Sequence, residues 1–329
     1  MSLLCRHGSQ PLHCSVTLQP RHHAINIHMQ PLSPLPPTAD ASAASEELDL
    51  DGYFARIGYS GSPRPDLETL RALAELQPAA LAFEAVDVLL GRQVDLSMRA
   101  IQAKLIAGGR GGYCFEQNGL LKQVLRQLGF TVEGLIGRVL WMRPHDAPLM
   151  PLTHMALRVT IDGERWLADV GFGSCITGVP LRFDAIGVEQ PTQHENIRLV
   201  RRDAWTVLEA QLPDGWHPLY MLSPEPALDI DYLAANWYTS THPASTFRRE
   251  LRVARTAPGR RTTLLNNRLT VRHTGGGMER RFLSENELAE TLVTTFGLRL
   301  DGASARQAAG IATAAAAAAA SQQTDRRNA

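Results

Sequence analysis

Only four of the 329 residues are cysteines, and one of them, Cys114, stands within RGGYCFEQN (110–118), where its neighbours suit a nucleophile. Leu120, Leu121, Val124, Leu125 and Leu128 follow at a spacing that predicts an amphipathic helix, and Gly129 is its expected stop. The helix thus starts at or near Cys114, with Gly111 and Gly112 permitting a sharp approach that residues with Cβ atoms resist. A thiol in the first turn of a helix meets unpaired N–H groups and the positive end of the macrodipole. Both favour the thiolate, which is the reactive form. Most free cysteines are simply buried packing residues, however. A base and its orienting group must come from elsewhere in the chain.

A hairpin supplies them. HMALRVTI (154–161) and ERWLADV (164–170) alternate like strands on either side of Asp162-Gly163, a pair that suits a type I′ turn. If those two residues form the turn, Ile161 faces Glu164, and the register then follows along both strands. Met155, Leu157, Val159 and Ile161 share one face with Trp166, Ala168 and Val170. His154 falls on the other face, opposite Gly171, which leaves space above the imidazole. Asp169 is its diagonal neighbour, about 7 to 8 Å away and within side-chain reach. An exposed His–Asp pair alone contributes little. Combined with a helix-start cysteine, it makes a Cys–His–Asp nucleophilic site. His154 takes the thiol proton, and Asp169 fixes the tautomer and stabilises the cation. That chemistry is acyl transfer through a thioester, and it leaves open whether water or an amine receives the acyl group.

The rest of the chain sets the context. Thirty-three basic and 33 acidic residues cancel, so no global field favours nucleic acid or an anionic membrane. Sparse cysteines without CxxC spacing argue against a disulfide framework or a zinc cluster and suit a reducing cytoplasm. No apolar run reaches the roughly 18 residues of a spanning helix. The start, MSLLCRHGSQPLHC, lacks the regions of a signal peptide, so a cytoplasmic location is expected. Residues 1–47 end in Pro/Ala/Ser-rich sequence and contain His7, His13, His22, His23 and His28. They read as a disordered extension, and a metal role is set aside because nothing packs there to fix ligand geometry. Residues 301–329, rich in alanine with little to bury, read as a disordered tail.

Between these ends the period changes from helical to alternating. Pro65-Asp66 opens a helix carrying Leu67, Leu70, Leu73 and Leu76, which Pro78 is expected to stop. Ser97 caps a second helix, which Gly108-Gly109 ends, and the Cys114 helix follows. Strands run from 132 to about 272, with an Asn266-Asn267 turn. Ser284 and Glu287 then form a capping box for a closing helix. Helices, then strands, then a helix make an α+β protein.

Several motifs, in order and spacing, resemble the arylamine N-acetyltransferases: YFARIGYSG (53–61), FEAVDVLLGR (83–92), RGGYCFEQNGL (110–120), PLTH before MALRV, DVGFG (169–173) and NWYTSTHPASTF (236–247). The resemblance covers about residues 52–300. It implies a helical bundle with the cysteine (48–131), an antiparallel β-barrel with His and Asp (132–250) and an α/β lid (251–300), with a cysteine-protease-like triad of Cys114, His154 and Asp169. It also implies ping-pong transfer of acetyl from acetyl-CoA, a co-substrate, to an aromatic amine, arylhydroxylamine or hydrazine, without a metal. Tyr238, Ser245 and Thr246 match a segment near coenzyme A in the family, and Phe172 matches an acceptor-pocket residue. Arg110 and Glu116 match ion-pair partners. The chain departs from the family at Ala82-Phe83-Glu84-Ala85, where PFEN is usual, and at Gln77, where histidine is customary. Three other readings compete. An amide synthase of the same fold would act on a larger acyl thioester, and a cysteine peptidase or transglutaminase would also show Cys before His before Asp, but the papain-type signature is absent. A non-enzymatic metal or interaction module would use the N-terminal histidines.

A chain that starts near Glu47 is expected to keep kcat within a few-fold of the full chain, because residues 1–47 lack the apolar periodicity needed to offset chain entropy. A folded but inactive truncation would show that the segment completes the site.

Overall fold

Asp162 and Gly163 turn the chain with φ of 51° and 81°, both in the left-handed region that a type I′ turn requires. The turn sets the expected register. Ile161 pairs with Glu164, Val159 with Trp166 and Leu157 with Ala168. The computed structural model describes residues 48–144 and 146–328, with side chains described as far as Ser321. The 1–47 extension and its five histidines lie outside the described residues, and the described part belongs to one compact unit.

A helical layer comes first: α1 (Leu50–Ile57), α2 (Leu67–Ala80), the short strand β1 (Phe83–Glu84), α3 (Val86–Leu89), α4 (Met98–Ile101) and α5 (Cys114–Gln127). Asp66 caps α2 by accepting from the Thr69 N–H at 2.8 Å, and the Ser97 hydroxyl accepts from Ala100 N–H at the start of α4. Pro78 does not stop α2. It sits inside the last turn, and the helix runs on to Ala80. After Ile101 the backbone widens into a π-helical turn over Gln102–Ala107 that ends at Gly108.

Eight strands then form one antiparallel sheet: β2 (Thr131–Val139), β3 (His154–Ile161), β4 (Glu164–Ala168), β5 (Leu181–Arg182), β6 (Gln190–Pro191), β7 (Asn196–Arg202), β8 (Trp205–Leu212) and β9 (Gly215–Leu222). Their spatial order is β5-β4-β3-β2-β9-β8-β7-β6, which leaves β5 and β6 at the two edges. The side-chain amide of Gln190 joins those edges. It accepts from Arg182 N–H at 2.7 Å and donates to the Arg182 carbonyl at 3.1 Å. The sheet is thus a nearly closed barrel, and the paired edges are no longer open to other chains. Both faces of the β3–β4 hairpin are buried. Met155, Leu157, Val159, Ile161 and Ala168 join the core shared with α5, while Ala156 and Leu167 join Leu208, Leu219 and Leu222 in the barrel interior.

After α6 (Asp231–Thr241), a second sheet contains β10 (Arg252–Ala257), β11 (Arg260–Leu265), β12 (Arg268–His273) and β13 (Met278–Phe282). Its order is β1-β10-β11-β12-β13, so the lid recruits Phe83 and Glu84 from the helical region. The expected boundaries at 131 and 251 are therefore crossed by one sheet. Ser284 and Glu287 cap α7 (Glu285–Thr294) as a reciprocal pair.

The tail corrects the sequence reading. Residues Gly302–Asn328 form α8 instead of lacking structure. Its small side chains allow close approach, so Ala305, Ala308, Ala309 and Ala312 are buried, the last three in one core with Leu288, Leu292 and Phe296. Asp301 accepts from Ser304 N–H at 2.8 Å at the start of the helix, and Arg92 donates to the Ser304 hydroxyl at 2.9 Å. Burial in a partner core, which composition does not reveal, supplies what propensity alone lacks. No helix among the described residues is long and apolar enough to cross a membrane.

Ala309→Asp is expected to cost about 3 kcal/mol in urea unfolding, because it places an unpaired carboxylate in that core. An unchanged midpoint would mean that α8 is not docked.

Candidate active site

The first turn of α5 is held in place before any chemistry is considered. Gly112 N–H donates to the Ala82 carbonyl at 3.2 Å, and Glu84 N–H donates to the Gly112 carbonyl at 3.1 Å. A Cβ on Gly111 would lie 1.9 Å from the Ala82 oxygen. Close backbone approach to β1 is thus the reason for that glycine, since its φ is not left-handed. Arg110 pairs with Glu84 at 2.7 Å and Asp87 at 3.2 Å, and Lys104 pairs with Glu116 at 2.7 Å and Asp87 at 2.9 Å. Arg110 and Glu116 are therefore ion-pair partners, but of other residues and not of each other. Burial raises the Glu116 carboxyl's pKa, with Lys104 working against it. Glu116 also accepts from Tyr113 N–H at 3.0 Å, one residue before Cys114. The Tyr113 hydroxyl bonds to Asn236 on α6, and its ring meets Phe247 edge-on at 6.0 Å.

Cys114 opens α5, is buried, and donates from Sγ to the Thr153 carbonyl at 3.5 Å. The next residue, His154, opens β3. Its Nε2 lies 2.8 Å from Asp169 Oδ2, with both side chains 2 % exposed. With Nε2 taken by Asp169, Nδ1 is left for Cys114, which is near enough to raise the imidazole's pKa. Burial disfavours the imidazolium, but the Asp169 carboxylate and Cys114 outweigh it, and the His154 pKa is pushed up to about 10. Burial likewise opposes the Asp169 charge, yet His154, Asn118 and the Gly171 N–H hold its pKa below the usual carboxylate range.

The hairpin places the pair somewhat differently from expectation. The β3–β4 ladder ends at Leu157 and Ala168, so Asp169 lies just past the strand. Its Oδ1 accepts from Asn118 Nδ2 at 2.9 Å and from Gly171 N–H at 2.8 Å. Gly171 does not leave open space. Its α-carbon faces α5, and a Cβ there would lie 2.7 Å from Cys114 Cα and 2.8 Å from Asn118 Nδ2. Asn118 is fully buried and also donates to the Met155 carbonyl at 2.7 Å, while its Oδ1 accepts from Val170 N–H at 3.0 Å. Sequence reasoning missed this residue, although its position four after Cys114, on the same helix face, was a usable signal. Tyr220 was also missed. Its ring centroid is 4.5 Å from that of His154, and its buried hydroxyl lies beside Asp169. Nothing local in the sequence of β9 points to it.

The other expected residues divide. Phe172 reaches the triad, edge-on to His154 at 5.2 Å. Tyr238 stacks on His242 at 4.6 Å and lines a cleft of about 560 Å³ with Ile136, Leu152, Asp231 and Ala235. Leu152 connects that cleft to Thr153, the acceptor of the Cys114 hydrogen bond. Ser245 is not brought to the triad; it is buried and its hydroxyl donates to the Thr239 carbonyl at 2.6 Å. Thr246 is exposed at the start of a 3₁₀ turn. Gln77 and the 82–85 segment are internal supports. Gln77 Nε2 donates to Gln117 Oε1 at 3.0 Å, and Gln117 Nε2 donates to the Leu81 and Ala82 carbonyls. A buried thiol, imidazole and carboxylate in this order can form and discharge a covalent acyl group.

The family model described as N-acetyltransferase matches residues 66–305. The arylamine N-acetyltransferase of Mycolicibacterium smegmatis is 44% identical over 262 residues, which cover 79% of this chain and 95% of the relative. The arylamine N-acetyltransferase / N-hydroxyarylamine O-acetyltransferase of Salmonella typhimurium is 36% identical over 76% of this chain and 88% of its own length. The structure of the Mycobacterium marinum arylamine N-acetyltransferase in complex with CoA aligns with a TM-score of 0.76 at 38% identity, covering 79% of this chain and 98% of that one.

Folded His154 keeps its proton to about pH 10, against 6.5 for a free imidazole. A raised pKa stabilises the fold fully below the unfolded value and loses that contribution as pH rises through the folded one. The stability gap between the protein and its His154→Gln variant, followed by urea unfolding, is therefore expected to narrow between about pH 6.5 and 10. A gap that stays constant across the window contradicts the pairing.

Proposed function

Because the chain belongs to the arylamine N-acetyltransferase family, we propose that it moves an acetyl group from acetyl-CoA to an aromatic amine, arylhydroxylamine or hydrazine, through a thioester on Cys114. The observation that carries this reading is the 2.8 Å contact between His154 Nε2 and Asp169 Oδ2, with Cys114 on the ring's other side.

In the first half-reaction the Cys114 proton already resides on His154 Nδ1, since the folded imidazole keeps its proton to about pH 10. The sulfur then forms a bond to the acetyl carbon, and the bond from that carbon to the coenzyme sulfur breaks. His154 returns its proton to the leaving thiolate. In the second half-reaction the amine nitrogen attacks the thioester, His154 accepts a proton from it, and Cys114 leaves. Asp169 stays ionised throughout and stabilises the imidazolium. General acid–base assistance of this kind contributes about 10² to 10⁴-fold. The cleft beside Leu152 and Tyr238 offers a path for substrate, and Phe172 a surface for an aromatic acceptor. The lid favours a polyanionic donor, since residues 251–300 carry nine arginines and four glutamates in a chain of zero formal charge. We assign Tyr238 and Thr246 to coenzyme contacts; the engaged Ser245 hydroxyl supports that segment's shape.

Initial rates measured with acetyl-CoA against a panel of anilines and hydrazines are expected to give parallel double-reciprocal lines. Asp169→Asn is expected to fold and to lose about 10⁴ in kcat, because the amide cannot stabilise the imidazolium. Near-normal turnover by that variant would remove the triad from the mechanism.

A further inference from the structure

The three layers of the protein meet around a small cavity that catalysis does not use. Its walls come from Glu75 and Pro78 on α2, Thr177 and Gly178 after β4, Gln193 and His194 before β7, and Thr256, Ala257 and Pro258 at the end of β10. Three polar atoms in this lining are buried without a protein hydrogen-bond partner: Gln193 Oε1, His194 Nε2 and Thr256 Oγ1. They make up three of the seven such side-chain atoms among the described residues, so their gathering in one cavity calls for a ligand.

The surroundings hold these groups in place. Gln193 Nε2 donates to Glu75 Oε1 at 3.1 Å, which turns Oε1 of the same amide away from that bond. Arg261 on β11 grips the next carboxylate, Glu195, through two contacts of 2.9 and 2.6 Å. Thr256 is 8 % exposed, so its hydroxyl has no alternative in bulk solvent. The cavity leaves about 10 Å³ for the centre of a water-sized sphere, which is room for one water. Burial and the nearby Arg261 charge keep His194 neutral, so its Nε2 can accept.

We infer that this cavity is a binding site for a single structural water that bridges Thr256, Gln193 and His194. The water donates one hydrogen to Gln193 Oε1 and one to His194 Nε2, and it accepts from the Thr256 hydroxyl. Three partners is the usual number for a buried water. One molecule would thereby join the lid to the barrel, against the same helix, α2, whose Gln77 supports α5.

A crystal structure of the full chain at a resolution that resolves ordered solvent tests this directly. One peak is expected at about 2.7 to 3.2 Å from all three atoms. No peak would overturn the inference, and so would a peak at cation-like distances near 2.4 Å. Thr256→Val keeps the shape and removes the hydroxyl; it is expected to lose the peak and to lower Tm by about 2 to 4 °C. Thr256→Ser keeps the hydroxyl and is expected to retain both the peak and most of the stability. A valine variant as stable as the parent, or a serine variant as damaged as the valine one, would mean that the hydroxyl binds nothing there.

Discussion

A carboxylate that is almost wholly removed from water is the constraint around which this protein is organised. Asp169 stays ionised only because His154, Asn118 and the Gly171 N–H all bond to it. An unpaired buried carboxylate would take up a proton and stop orienting the imidazole. Each of the three donors also fixes a different element. His154 opens β3, Asn118 lies one turn into α5, and Gly171 lies three residues past the end of β4. The helical layer and the barrel are therefore joined at the reacting atoms themselves, and α5 can approach only because residue 171 lacks a Cβ.

The opposite end of the same helix turn rests on charge. Lys104, Arg110, Glu84, Asp87 and Glu116 form one network beneath the Cys114 turn, with Glu84 and Glu116 buried and the others partly so. Such networks contribute little net stability compared with a well-packed apolar core, but removing one member leaves a buried charge without a partner. Their effect here is positional. They fix β1 against residues 110–112 and so set where the helix, and its thiol, begin.

Much of this was legible in the sequence, for identifiable reasons. The Asp162-Gly163 turn determines a register by arithmetic, which brings His154 and Asp169 near one another. The spacing after Cys114 located α5 because a helix must bury one face. What stayed hidden depends on contacts between distant segments. Gly171 looked like open space, since nothing in a hairpin says that α5 will fill it. Asn118 carries no local mark beyond its place on the helix, and Tyr220 none within its strand. Alanine composition suggested a free tail, because a short side chain says nothing about whether a partner helix lies within reach. Leu288, Leu292 and Phe296 supply that partner.

Formation of a covalent intermediate tests the central claim most directly. The protein mixed with acetyl-CoA and no amine should gain one acetyl group, which peptide mass spectrometry should locate on Cys114 and not on Cys175, whose thiol burial pushes up to about 11. Adding an arylamine should discharge the label as acetylated amine appears, and Cys114→Ser should take up far less of it. Steady formation of acetylated amine with no labelled Cys114 at any time point would contradict the account, because transfer would then be direct and the thiol would carry nothing.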